Sequence, residues 1–160
     1  MIGSYINILL RLVLVILAQV WVLDHVVLWG TWIVLFIYPY FLIKLPFSVS
    51  SLGSILLGFL SGALVDMFTG TYGLMASAGV LVGYIRPKII SVMSKRGDLE
   101  DLVNPSIYAP TARWFITFTA ILCLAQSFWY FNISQSGLQD AINIQVRALL
   151  SGLCLSLIHI

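Results

Sequence analysis

Apolar residues run along this chain in six long stretches separated by short polar breaks. The first covers 5–23, is interrupted only by Asn7, Arg11 and Gln19, and stops at Asp24 and His25. It has no small-residue cleavage site and further apolar runs follow it, so it reads as a retained helix rather than a removed leader. The second run, 29–45, ends at Lys44 and Pro46, and Pro46 cannot continue a helix. Ser48, Ser50 and Ser51 then offer N-caps to a third run over 52–68. Thr69, Gly70 and Thr71 predict a tight turn into a fourth run, 72–90. A polar stretch, 91–104, and two prolines, Pro105 and Pro110, lead to Thr111, which is placed to cap a fifth run over 112–131. After a short link at 132–137, a sixth segment starts at Leu138.

Helices of this length need partners for their backbone polar groups only within themselves, which is what a bilayer demands. A span takes roughly 20 residues, so 160 residues hold about six spans and no separate soluble domain. The expected fold is an all-α polytopic helix bundle, one membrane domain over 1–160, with neighbouring helices antiparallel wherever the link is short. Composition agrees: 61% of residues are hydrophobic and 9% charged, where a soluble domain carries about 25% charge. Mean hydropathy is +1.04. A disulfide scaffold is excluded by only two cysteines, Cys123 and Cys154. A net charge of +2 offers no footprint for a nucleic acid.

Charge also orients the bundle. Arg86, Lys88, Lys95, Arg96 and Arg113 flank the one long loop, and Arg11 and Lys44 join them if each run crosses once. The opposite side receives Asp24, Asp66 and Asp140, and no cation before Arg147. Seven cations against one predict a cytoplasmic N-terminus and a cytoplasmic 91–110 loop. Trp21, Trp29, Trp32, Trp114 and Trp129 read as an interfacial belt.

The last segment breaks the pattern. A helix from Leu138 carries Arg147 in its middle, which costs about 2.5–3.5 kcal/mol on insertion scales. A span begun after Arg147 has 13 residues, or roughly 20 Å. Asp140, Asn143 and Arg147 share one helical face, as an interfacial helix entering a truncated span would. The string CLSLIHI also resembles translated sequencing-adapter read-through. We expect 138–160 to be truncated and 153–160 to be foreign to the natural chain.

Catalytic signals are weak. His25 and His159 stand in no metal-binding spacing, no phosphate-binding glycine loop occurs, and Cys123 has no evident base. No enzyme activity, metal or cofactor is expected. The more informative feature is a stripe of small residues. Ser54, Gly58 and Gly62 recur every four residues with Asp66 next in line, and Gly79 and Gly83 form a second pair on the following helix. Small residues at this spacing let helix backbones approach closely. The stripe either packs the protein's own helices together, the reading we favour, or docks a partner's transmembrane helix. Asp66 is either an interfacial residue anchoring the turn, sharing hydrogen bonds with Thr69 and Thr71, or a proton or cation site, or a hydrogen-bonding contact to a partner. Arg86 and Lys88 read as snorkelling anchors at the inner surface.

These residues carry a resemblance. The stretch from Leu57 through Arg86 resembles the rod shape-determining MreD family in its run Gly58, Gly62, Asp66, then Gly70, Gly73–Leu74 and Gly83–Tyr84. Gln19 with the break at Asp24–His25, the Arg86–Pro87–Lys88 segment with its polar loop, and Arg113–Trp114–Phe115 fit as well. Met75 is a departure, standing where many members carry histidine. The resemblance implies about six helices in a fold similar to the substrate-binding components of energy-coupling vitamin transporters. It implies a non-catalytic scaffold of the bacterial cell-elongation machinery in the cytoplasmic membrane. Its neighbours would be a bitopic MreC-like protein, MreB filaments, a RodA-type polymerase and a penicillin-binding transpeptidase. The alternative is a small-solute-binding component of a transporter. The vitamin-transporter components share an Ala-xxx-Ala coupling motif on the first helix, where this chain has Ala18 alone.

Overall fold

The computed structural model of the chain describes residues 2–21, 34–94, 105, 111–134 and 141–159. They form α1 (Ile2–Trp21), α2 (Pro39–Ile43), α3 (Ser51–Thr69), α4 (Leu74–Met93), α5 (Ala112–Ser134) and α6 (Ala141–His159). No strand occurs among the described residues. The helices α3 to α6 are long and apolar enough to cross a membrane, and α1 adds a shorter apolar stretch, Ile8–Trp21. The chain is an all-helical membrane protein. Leucines, valines and aromatic rings that face outward from these helices, such as Leu56, Phe59 and Leu149, are where lipid is the solvent.

The expected caps are in place. Ser50 accepts from the Gly53 amide at 3.1 Å and starts α3. Thr111 accepts from the Trp114 amide at 3.2 Å and starts α5. Arg147 is half-buried within α6, which continues unbroken from Ala141 to His159. The face shared by Asn143 and Arg147 and the apolar residues that follow thus belong to one helix. Within it Leu155 and His159 are buried, and the His159 ring accompanies the Tyr40 ring at 5.7 Å.

The second apolar run departs most from expectation. Instead of a helix over 29–45, its described part has irregular backbone at 34–37 and the single short helix α2. Pro39 is the cause. It occupies the first turn of α2, where its missing N–H does no harm, and it disfavours helix in the residue before it. This segment is apolar because it fills the core, not because it meets lipid. Phe36, Tyr38, Phe41, Leu42, Ile43 and Leu45 are all buried. It runs antiparallel to α5, from Phe36 packed on Tyr130 at 4.6 Å to Phe47 packed on Trp114 at 5.9 Å. Those α5 positions are about 24 Å apart along the helix axis, whereas the matching stretch would cover only about 17 Å as an α-helix. The irregular backbone supplies the reach.

Irregular backbone at membrane depth survives only inside protein and with its polar groups paired. Gln19 of α1 does this at both ends of its amide. Its Oε1 accepts from the Ile37 amide at 2.6 Å and its Nε2 donates to the Leu35 carbonyl at 3.3 Å. Ser151 of α6 accepts from the Val34 amide at 3.2 Å. Gln19→Leu would orphan the Ile37 amide and the Leu35 carbonyl together, at a cost of about 1–3 kcal/mol per stranded group. Thermal loss of the monodisperse peak in detergent should fall by many degrees for this variant. The lipid-facing control Leu17→Ala should leave it near the wild-type value.

Candidate functional site

The small-residue stripe and its acid lie on the seam between α3 and α4. The two helices are antiparallel, so each step of four down α3 meets a step of four up α4. Gly83 faces Ser54, Gly79 faces Gly58, and Met75 with Ala76 faces Gly62. A Cβ on Gly83 would come within 2.9 Å of the Ile55 Cα, and one on Gly58 within 2.9 Å of the Gly79 carbonyl carbon. On Gly62 it would lie 2.6 Å from the Ala76 Cα. Backbone is in contact with backbone along the whole seam. This face is closed by the chain's own helix, so the alternative of a partner helix docking on the Ser54–Gly58–Gly62 stripe is corrected.

Asp66 closes the end of that seam nearest the turn between α3 and α4. The helix α3 stops at Gly70, whose left-handed φ of 70° lets its amide return to the Asp66 carbonyl at 2.8 Å. Gly73, with φ 88°, is the N-cap of α4 and brings no side chain to its exposed amides. Asp66 supplies what Gly73 lacks. Its Oδ1 accepts from the Met75 amide at 3.0 Å and its Oδ2 from the Ala76 amide at 2.8 Å. The Thr71 hydroxyl also donates to Oδ1, and Thr71 pairs with the Thr69 hydroxyl at 2.9 Å. A carboxylate at the start of α4 also meets the positive end of the helix dipole. Asp66 is thus a cap borrowed from the preceding helix. Both carboxylate oxygens are turned onto the chain's own donors.

From Met75 a polar path crosses the bundle. The Met75 carbonyl accepts from the Tyr38 hydroxyl at 3.1 Å, and that hydroxyl accepts from the Gln126 Nε2 of α5. Asp66, Met75, Tyr38 and Gln126 so join α3, α4, the second segment and α5 through fully or nearly buried groups. Neither Tyr38 nor Gln126 stood out in the sequence. The available signal was the lone amide at Gln126, since an amide inside an apolar helix must find a partner. Gln126 Oε1, Ser127 Oγ and Thr119 Oγ1 are buried on α5 without hydrogen-bond partners.

Arg86 is corrected from a surface anchor to a core residue. It is 1% exposed. Its guanidinium donates to the carbonyls of Leu45 and Pro46, at 2.5 and 3.2 Å, and to Ser54 Oγ at 3.5 Å. Those carbonyls follow the end of α2, where no continuing helix satisfies them. The small Ser54 side chain leaves room for the guanidinium across the seam. Lys88 and Arg113 are exposed as expected. The Lys88 ammonium meets the Tyr84 hydroxyl at 2.5 Å and lies 3.8 Å from that ring's centroid. Lys95 and Arg96 lie outside the described residues, as do Asp24, His25, Trp29, Trp32 and Asp140. Cys123 is fully buried, and no cluster of three or more potential metal ligands occurs among the described residues.

No protein-family model, curated protein or solved structure matches the chain.

The seam and its cap make separable predictions. Asp66→Asn keeps the shape but turns an N–H toward the amide of Met75 or Ala76, stranding one donor at about 1–3 kcal/mol. Hydrogen–deuterium exchange should then show lost protection confined to the first turn of α4. Gly62→Leu forces the two backbones apart and should strip protection from α3 and α4 together. Equal, global loss in both variants would mean that the cap and the glycine contacts form one unit.

Proposed function

We propose that the chain is a non-catalytic scaffold subunit of the bacterial cell-elongation machinery, of the MreD type. On this reading it sits in the cytoplasmic membrane as about six traverses, N-terminus inside, in a fold similar to the substrate-binding components of energy-coupling vitamin transporters. It would link an MreC-like bitopic protein, MreB filaments, a RodA-type polymerase and a penicillin-binding transpeptidase.

The observation that carries the reading is the use made of the family-like residues. Gly58, Gly62, Asp66, Gly70, Gly73 and Gly83 each have a mechanical task in one hairpin: close approach, turn or cap. A rigid hairpin with an apolar exterior suits a subunit that holds other membrane helices. The described cavity of about 360 Å³ between α4, α5 and α6 is walled by apolar side chains such as Leu81, Leu124 and Phe128, which is unlike a polar solute site. The second reading is a solute-binding transport component. It draws on the buried polar atoms of Gln126, Ser127 and Thr119 that have no partner in the bundle.

Affinity purification of the tagged chain from its native membrane tests the two readings. The scaffold reading expects an MreC-like protein in the eluate and rounding of rod-shaped cells on depletion. An ATPase pair in the eluate, with retained rod shape, would favour transport. Orientation is checked separately. Tyr72→Cys, at a fully exposed turn position, should react with an impermeant thiol reagent added to intact cells. Arg113→Cys should react only in inverted vesicles. The reverse pattern would overturn the inside location of the N-terminus.

A further inference from the structure

The outer surface of α5 forms the floor of a groove between α4 and α6. Leu124, Ala125 and Phe128 of α5 make the floor, Leu81 and Ile85 of α4 one wall, and Ala148 and Leu149 of α6 the other. Its volume is about 360 Å³. α5 and α6 meet closely at Gly152, where a Cβ would lie 3.1 Å from the Leu124 Cα, and the small side chains of Ala125 and Ala148 are part of the groove's lining.

The surface changes character toward one end. On α4, Lys88 follows Leu81 and Ile85 on the same helical face, and on α5, Thr117 and Arg113 follow Phe128, Leu124 and Ile121. The two helices are antiparallel, since Trp129 near the end of α5 donates to Ser77 near the start of α4 at 3.2 Å. Both stripes therefore descend to the same end of the molecule. There Lys88, Ser91, Thr117 and Arg113 are all exposed. Below Ile85 the Lys88 position is about 5 Å further along the axis, and Arg113 is about 16 Å beyond Leu124. The two cations bracket the level at which a phosphate would lie if an acyl chain occupied the groove. The Tyr84 hydroxyl accepts from Lys88, which leaves its own O–H and two ammonium hydrogens to donate.

From this juxtaposition of an apolar channel and a cationic, hydroxyl-bearing mouth, we propose that the α4–α5–α6 groove is a binding site for an anionic phospholipid, its acyl chain along Leu124 and Phe128 and its phosphate between Lys88 and Arg113. The proposal is independent of the scaffold reading. Basic patches of this kind between transmembrane helices are where anionic headgroups bind. A partner helix is the competing occupant. It is disfavoured because the cations would then face apolar side chains with no counter-charge.

Native mass spectrometry of the full chain, released from detergent with added phosphatidylglycerol or phosphatidylcholine, tests this. The wild type should retain phosphatidylglycerol in preference. Lys88→Gln and Arg113→Gln should each lower that preference about five-fold, while total lipid retained changes little. Ala125→Phe, which fills the groove, should lose retention of both lipids, and the milder Ala125→Leu should lose part of it. Size-exclusion monodispersity and helical circular dichroism select the variants that fold. Equal retention of the two lipids by wild type would overturn the proposal. So would a preference that survives the double charge variant. A dimer or co-purifying helix that Ala125→Phe displaces, with lipid retention intact, would hand the groove to a protein occupant.

Discussion

The α3–α4 seam is the contact on which the rest of the bundle is arranged. Inside a bilayer, apolar side chains gain nothing by leaving lipid for one another, so helices are held by close packing and by polar pairing. The seam uses both. Gly58 and Gly79 place backbone on backbone, and Gly62 and Gly83 extend that contact by a turn in each direction. Asp66 then ties the last turn of α3 to the first turn of α4 through two amides. At the other end Arg86 reaches from α4 back across Ser54 to the carbonyls that precede α3. The hairpin is pinned at both ends by a charged side chain that satisfies backbone, and along its middle by the absence of side chains.

A fixed hairpin gives the second segment something to lie against. That segment carries the most irregular backbone among the described residues and is among the most buried, a combination that is unstable unless every exposed amide is answered. Gln19, Ser151 and Arg86 come from three other elements and each answers part of it. The polar side chains that reach this segment are therefore there to satisfy irregular backbone. The Tyr38 hydroxyl shows why the two halves depend on each other. It is placed by the irregular segment, but its acceptor is the Met75 carbonyl at the start of α4, next to the amide that Asp66 caps.

The sequence made some of this legible. A period of four in Ser54, Gly58, Gly62 and Asp66 is visible by eye, and it marks a helix face because side chains at that spacing lie one above another. The caps at Ser50 and Thr111 and the turn at Gly70 are local, and local chemistry is what a single sequence reports best. The irregular second segment was missed although Pro39 stands in the middle of its run. Its unbroken hydrophobicity looked like lipid contact, and burial in protein leaves the same composition. Arg86 was misread for a related reason. Charge counting assigns a cation to a side of the membrane, but it cannot see that Leu45 and Pro46 leave carbonyls unpaired within reach. The partners of Gln19, Tyr38 and Gln126 lie far away in sequence, and no periodicity reports them.

The two kinds of apolar surface divide the roles of the faces. Faces of α3 and α4 that carry glycine are consumed by the hairpin and offer nothing outward. The outward face of α5 carries Ala125 and is flanked by Ala148, and both line a channel instead of a seam. Small residues thus have opposite consequences depending on whether another helix fills the space they leave. Where α4 fills it, the result is rigidity. Where none of the described residues fills it, the bilayer supplies the atoms, because an empty apolar channel against lipid loses dispersion contacts on every wall. The exposed cations Lys88 and Arg113 at one mouth then decide which lipid gains most by filling it, since a headgroup without net negative charge brings its own cation to a place that already holds two.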